Sequence, residues 1–95
     1  MMSSTHLFYQ KGDLVTMKQS CLVFEKTYTD KGIPQRKFWR LAKPLSGVFL
    51  GFAPSQDEDF RYLQDSASMK TPCRIAVGES IYYVDEKSFF FHTHR

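Results

Sequence analysis

The sequence predicts an all-β domain, a small sandwich or barrel of five to seven short antiparallel strands with at most a short helix near 56–68. Three observations carry this reading. The 95-residue chain holds nine Phe, five Tyr and one Trp, and rings with β-branched residues favour pleated, half-buried surfaces. Turn signals recur at short intervals: Lys11-Gly12-Asp13, Thr29-Asp30-Lys31-Gly32, Lys43-Pro44, Ala53-Pro54-Ser55, Thr71-Pro72, Val77-Gly78-Glu79 and Asp85-Glu86. Short apolar segments lie between these turns, which is the rhythm of a sandwich or barrel.

The first strand is expected over Leu14–Lys18, entered from the Gly-Asp turn. Leu22–Tyr28 alternates, with Leu22, Phe24 and Lys26 on one face and Val23, Glu25 and Thr27 on the other. A long hairpin loop over Tyr28–Arg36 follows, tipped by Asp30-Lys31-Gly32. Pro34 cannot donate a ladder hydrogen bond, so it belongs in that loop or at an edge. Lys37–Ala42 places Trp39 and Leu41 on one face and Phe38, Arg40 and Ala42 on the other. Gly47–Phe52 is nearly all apolar and reads as a central strand buried on both faces. Phe60–Leu63 is a weak strand signal inside Gln56–Ser68, a stretch that reads as a mobile acidic loop or a helix of a turn or two. Asp57 and Asp59 would suit a helix N-terminus. Arg74–Val77, Ser80–Val84 and Ser88–His92 complete the strands. In the last of these, Phe90 must point opposite to Phe89 and Phe91. Either both faces are covered, with Leu7-Phe8-Tyr9 as the covering segment, or a ring is exposed as a partner or dimer contact.

Length and composition set the broad class. At about 100–150 residues per domain, residues 1–95 form one domain, with a core over about 11–91 and frayed ends at 1–6 and 92–95. Hydrophobic residues make up 42% of the chain and charged residues 24%, with a net charge of +3; such a chain is not a disordered polyelectrolyte. No apolar run approaches the ~20 residues that a membrane-spanning helix needs. Met1-Met2-Ser3-Ser4-Thr5-His6 has no basic and apolar regions of a secretion signal, so a cytoplasmic protein is expected. Cys21 and Cys73 then read as buried thiols. The sequence has no Asn, hence no N-glycosylation acceptor.

Charge is unevenly distributed. Lys26, Lys31, Arg36, Lys37, Arg40 and Lys43 face a single anion, Asp30, so residues 26–43 carry +5. Residues 57–65 hold four anions and Arg61, or −3. Such a basic pole can steer an anionic partner, or it can be a solvated hairpin face. The basic segment also carries Tyr28, Phe38 and Trp39. Cations with interleaved rings suit phosphates and unpaired bases. Trp, Tyr and Arg are equally the residues that dominate protein interfaces.

Lys11-Gly12-Asp13-Leu14-Val15 opens a strand, and a charged hairpin follows. Pro44-Leu45-Ser46-Gly47-Val48-Phe49-Leu50-Gly51 then carries two glycines four apart. Cys73-Arg74-Ile75-Ala76-Val77 leads into Ser80-Ile81-Tyr82-Tyr83-Val84. Together, over roughly residues 11–91, these segments resemble the SH3-like small-barrel superfold, including short barrels of phage and mobile-element accessory proteins. The resemblance implies a closed barrel without a catalytic residue. Closure removes sheet edges, and Gly47 and Gly51 would allow the strand curvature it needs. The Ala-Leu-Tyr-Asp-Tyr opening of the proline-binding SH3 domains is absent, although Tyr82, Tyr83 and Trp39 could supply rings.

No phosphate-binding loop of the G-x-x-x-x-G-K-[ST] kind and no G-x-S-x-G elbow is present. His92-Thr93-His94 could turn two imidazoles to one face, but two ligands make a poor metal site. No cofactor, metal or catalytic residue is therefore expected. The expected function is that of a non-catalytic binding module, an adaptor or inhibitor of the phage or mobile-element accessory type, monomeric or homodimeric, that docks on a protein partner. Its expected contacts are Tyr28, Lys31, Arg36, Lys37, Trp39, Arg40 and Lys43 of the hairpin, with Phe90 in an aromatic patch. The alternative is a nucleic-acid-binding barrel that uses residues 26–43.

Overall fold

The computed structural model describes residues 10–92. Its elements are β1 (Leu14–Met17), β2 (Leu22–Tyr28), β3 (Pro34–Arg40), β4 (Leu45–Phe52), α1 (Phe60–Ser66), β5 (Pro72–Val77), β6 (Ser80–Asp85) and β7 (Phe89–Phe91). The strands form one antiparallel sheet in the order β3-β2-β6-β5-β4-β1-β7. The protein is thus all-β with one short helix, as its sequence predicts.

Consecutive residues of a strand face opposite ways, and the core divides accordingly. Val23 and Tyr82 belong to one buried cluster, with Val15, Met17, Phe49, Ile75, Val84 and Phe89. Their neighbours Phe24 and Tyr83 belong to a second cluster, with Ala53, Leu63 and Met69, on the other side of the sheet. The first cluster draws side chains from β2 at one end of the sheet and β7 at the other, so the sheet curls around it. The second lies under α1 and its flanking loops.

The expected closure into a barrel is not found. Strands β3 and β7 are the two edges, five strands apart. Closure would pair β3, with seven residues, against β7, with three. The apolar demand is met instead by curling on one face and by α1 on the other. Other expectations also change. The hairpin loop is shorter than Tyr28–Arg36, because pairing runs out to Tyr28↔Pro34. Thr29 ties the remaining loop together: its hydroxyl accepts from Ile33 N at 3.1 Å, and its carbonyl accepts from Gly32 N at 2.8 Å. Strand β4 is central but buried on one face only; Phe49 is 1% exposed whereas Val48 and Phe52 are each 39% exposed. Phe60–Leu63 is helical, because Leu63 turns into the second cluster and Tyr62 turns outward. The Leu7-Phe8-Tyr9 cover lies outside the described residues.

The two glycines of β4 have different reasons. Gly51 has φ +111° beside a register shift between Phe49 and Gly51, a bulge that bends the strand. Gly47 has no such backbone; there a Cβ would stand 2.6 Å from the Ala76 carbonyl oxygen. Close approach of β5, not curvature, requires glycine at 47. Gly51→Val is expected to cost about 1–3 kcal/mol, the range for a residue forced into such a conformation. Gly47→Ala should cost a similar amount by overpacking. Thermal melts of the two variants check this, and an unchanged melting temperature for Gly51→Val would contradict the strain at 51. No helix among the described residues is long and apolar enough to cross a membrane.

Candidate functional site

Full-length pairing of β2 with β3 holds the basic-aromatic hairpin at one end of the sheet. Tyr28 and Ile33 at its tip are each 56% exposed, and Lys31 is exposed in the loop between the strands. The Lys26 ammonium lies 6.0 Å from the centre of the Tyr28 ring. Lys43 is exposed in the connection from β3 to β4. Arg40 donates from Nη1 to the Ser20 carbonyl at 2.9 Å.

The acidic segment is not a separate pole. It folds against the hairpin and neutralises part of it. Lys26 Nζ donates to Glu58 Oε2 at 2.8 Å and to Asp59 Oδ2 at 2.9 Å. Arg36 reaches the same two carboxylates, at 3.1 Å through Nη2 and 2.8 Å through Nε. The side chains of Lys26 and Asp59 are only 6% and 8% exposed. Asp59 stands at the N-cap of α1, yet its side chain makes no capping hydrogen bond. Its carboxylate is committed to the two cations instead. Asp57 accepts from Asp59 N at 2.9 Å and from the Tyr83 hydroxyl at 2.7 Å. Beneath this clamp Phe24 contacts the Phe38, Tyr62 and Tyr83 rings, with centroids 4.8, 6.2 and 5.6 Å away.

The opposite face of the hairpin carries Lys37 and Trp39. Trp39 Nε1 donates to Glu25 Oε1 at 3.0 Å, and the indole packs edge-on against Tyr82 at 5.8 Å. Ser80 donates to the other Glu25 oxygen at 3.1 Å. Trp39 is therefore a half-buried core ring whose polar end is satisfied. Lys37 lies 3.7 Å from Glu25, but its side chain remains 70% exposed.

The structure thus gathers Tyr28, Lys31, Arg36, Lys37, Trp39 and Arg40 on one hairpin and divides them between its two faces. Phe90 is not with them. It is 51% exposed on β7, the opposite edge of the sheet. There it pairs across from Thr16, beside Leu14 and Val48, which are 45% and 39% exposed. The Phe90 ring stacks on His92 at 6.2 Å, and His92 Nε2 hydrogen-bonds to Thr16 Oγ1. Hairpin and aromatic patch are consequently two surfaces. Sequence reasoning also missed the clamp. Its only signal was the opposite charge of segments 26–43 and 57–65, which does not say that they touch.

Burial alone would pull the Lys26 ammonium down, but the Glu58 and Asp59 carboxylates more than offset that and hold its pKa above the usual value. The same contact with Lys26 holds Glu58 below the usual 4.5. Burial, then Asp57, raises Tyr83 above its usual 10.0. Burial, reinforced by Glu86 and Asp85, pushes the Cys73 thiol from 9.0 up to about 12. Because Cys73, Tyr83 and Lys26 are all raised, the unfolded chain loses these protons first as pH rises. Stability is complete below pH 9.0 and falls above it, by up to about 1.4 kcal/mol per pH unit for each titrating group. Denaturant midpoints measured from pH 9.0 to 10.5 should decline, and Cys73→Ala should flatten the start of that decline. A level profile in wild type would contradict the burial of these groups.

Both cysteines are free thiols, Cys73 buried and Cys21 half-buried. Among the described residues, no group of three or more His, Cys, Asp or Glu is placed to hold a metal ion; His94 lies outside them. No match to a family model, to a curated protein or to a solved structure is found for the chain.

Proposed function

We propose that this chain is a non-catalytic binding module, a cytoplasmic adaptor or inhibitor, that docks on a protein partner through the β2–β3 hairpin. In this reading it is similar to the SH3-like accessory barrels of phages and mobile elements, and the exposed Phe90 patch is a secondary contact. The observation that carries the reading is the open edge. Strand β3 pairs with β2 on one side only, and its seven residues leave a row of backbone donors and acceptors to solvent. An extended segment of a partner can add to such an edge. Pro34, Lys37 and Arg40 on the same edge discourage pairing between two copies, because like charges would oppose one another. They favour a neutral or acidic strand. Tyr28 and Ile33 supply apolar contacts at the tip.

The nucleic-acid alternative relies on the same cations. Lys26 and Arg36 are already matched by Glu58 and Asp59, which leaves Lys31, Lys37, Arg40 and Lys43 for phosphates. That is a weaker stripe than the +5 of the sequence suggests. A photo-crosslinking residue at Ile33 tests the protein reading in native extract. A discrete protein adduct is expected at Ile33 and not at Tyr62, an equally exposed position on α1, and Lys37→Glu should abolish it. Equal adducts at both positions, or none at Ile33, would count against docking by the hairpin.

A further inference from the structure

A cavity of about 360 Å³ lies away from both surfaces described above, between the turn entering β2, the end of β3, the segment after α1 and the 3-10 turn before β7. Three cations line it: Arg40, Lys70 and Lys87. Among the described residues none of the three has a carboxylate partner within salt-bridge distance. A fourth cation, Lys18, is near enough for its charge to be felt at the Cys21 thiol on the cavity wall. The one acid of the lining, Asp85, is turned to the backbone. Its oxygens accept from Thr71 N at 3.0 Å and from Lys87 N at 3.1 Å. The charge facing the cavity is therefore strongly positive and uncompensated.

The walls are also held in place. Arg40 is fixed by its 2.9 Å bond to the Ser20 carbonyl, which uses one of its five donors. Ser20 and Ser68, which flank this cavity, have φ of 70° and 56°, and they are the non-glycine residues with left-handed backbone among those described. Such conformations cost free energy and persist where surrounding structure enforces them. Met69, buried to 2% exposure, anchors the segment that carries Ser68 and Lys70 and gives the cavity an apolar floor.

We propose that this cavity is a binding site for a small phosphorylated molecule, its phosphate held by Arg40, Lys70 and Lys87. A guanidinium fork beside two ammonium groups matches a doubly charged phosphate. The volume falls within the range of ligand pockets, at roughly 300–1,000 Å³. The lining contains no aromatic ring, so no platform is offered on which a base could stack. The cations converge on a hollow rather than forming a track. Both features favour a free phosphate ester over a nucleic-acid strand. The site is independent of hairpin docking, and the failure of either leaves the other standing.

Calorimetric titration of the whole protein at low ionic strength tests this, with glucose 6-phosphate, inorganic phosphate and a short oligothymidine as probes. Saturable binding of both phosphates is expected, with the ester at least as tight. Lys70→Gln combined with Lys87→Gln, both at exposed positions, should weaken binding by about tenfold or more, the equivalent of one lost charged contact. Lys37→Gln, outside the cavity, should leave it unchanged. Glucose 6-phosphate should also slow modification of the Cys21 thiol by an aromatic disulfide reagent. No binding of either phosphate at millimolar concentration would overturn the proposal. So would oligothymidine binding tighter than both, or indifference to the paired Lys70 and Lys87 substitutions.

Discussion

Asp59→Ala is expected to lower the stability of the fold by about 3 kcal/mol, and its melting temperature by on the order of 15 °C, because it strands a buried ammonium. Lys26 is 6% exposed at its side chain, and Asp59 is its buried partner. Glu58, at 64% exposure, remains as a second partner, which keeps the loss toward the lower end of the range for breaking a buried pair. Removing both charges should behave differently. Lys26→Met with Asp59→Leu replaces the pair by apolar groups of comparable size, a change that is often neutral. Arg36 keeps Glu58 in that variant. The double variant should recover most of what Asp59→Ala loses, and thermal melts of the three proteins would check it. Equal melting temperatures for Asp59→Ala and wild type would mean that the acidic segment is not clamped to the hairpin.

Phe49→Ala should be at least as damaging, at about 3–5 kcal/mol, the range for emptying an aromatic site in a packed core. Phe49 is 1% exposed on the central strand β4. Its ring meets Phe52 and Phe89 at 5.8 Å and Phe91 at 5.2 Å, so one substitution leaves three rings without their common neighbour. A domain of this size has a total stability of only about 5–14 kcal/mol. Phe49→Ala should therefore melt at least on the order of 15–20 °C below wild type. Phe49→Leu should lose far less. A loss below about 1 kcal/mol for Phe49→Ala would mean that the curled face of the sheet is not the principal core.

The strands were legible because alternation and turn chemistry are local. Leu22–Tyr28 is found with the bounds its alternation implies, and Phe24 and Val23 turn to the faces expected of them. Phe89-Phe90-Phe91 behaves as period-two geometry demands, with Phe89 inside and Phe90 out. Closure was not legible, since it depends on how far the sheet curls and on whether two distant edges have matching lengths. Gly47 shows the same limit: glycine there could mean curvature or close approach, and only the position of the Ala76 carbonyl decides. At the hairpin, the residue types were visible but their partners were not. Glu58 and Asp59 lie over twenty positions from Arg36 and over thirty from Lys26. Nothing local marks that two charged stretches will be folded together. The cationic cavity is still less visible, because four separated segments build it.

Residue-resolved amide hydrogen exchange on the isolated protein tests the open β3 edge most directly. The β3 amides that point away from β2 should exchange orders of magnitude faster than those of β5 and β6, which are paired on both sides. Uniform protection along β3, equal to that of the central strands, would mean that this edge is already occupied, by closure of the sheet or by a second copy, and is not free to receive a partner.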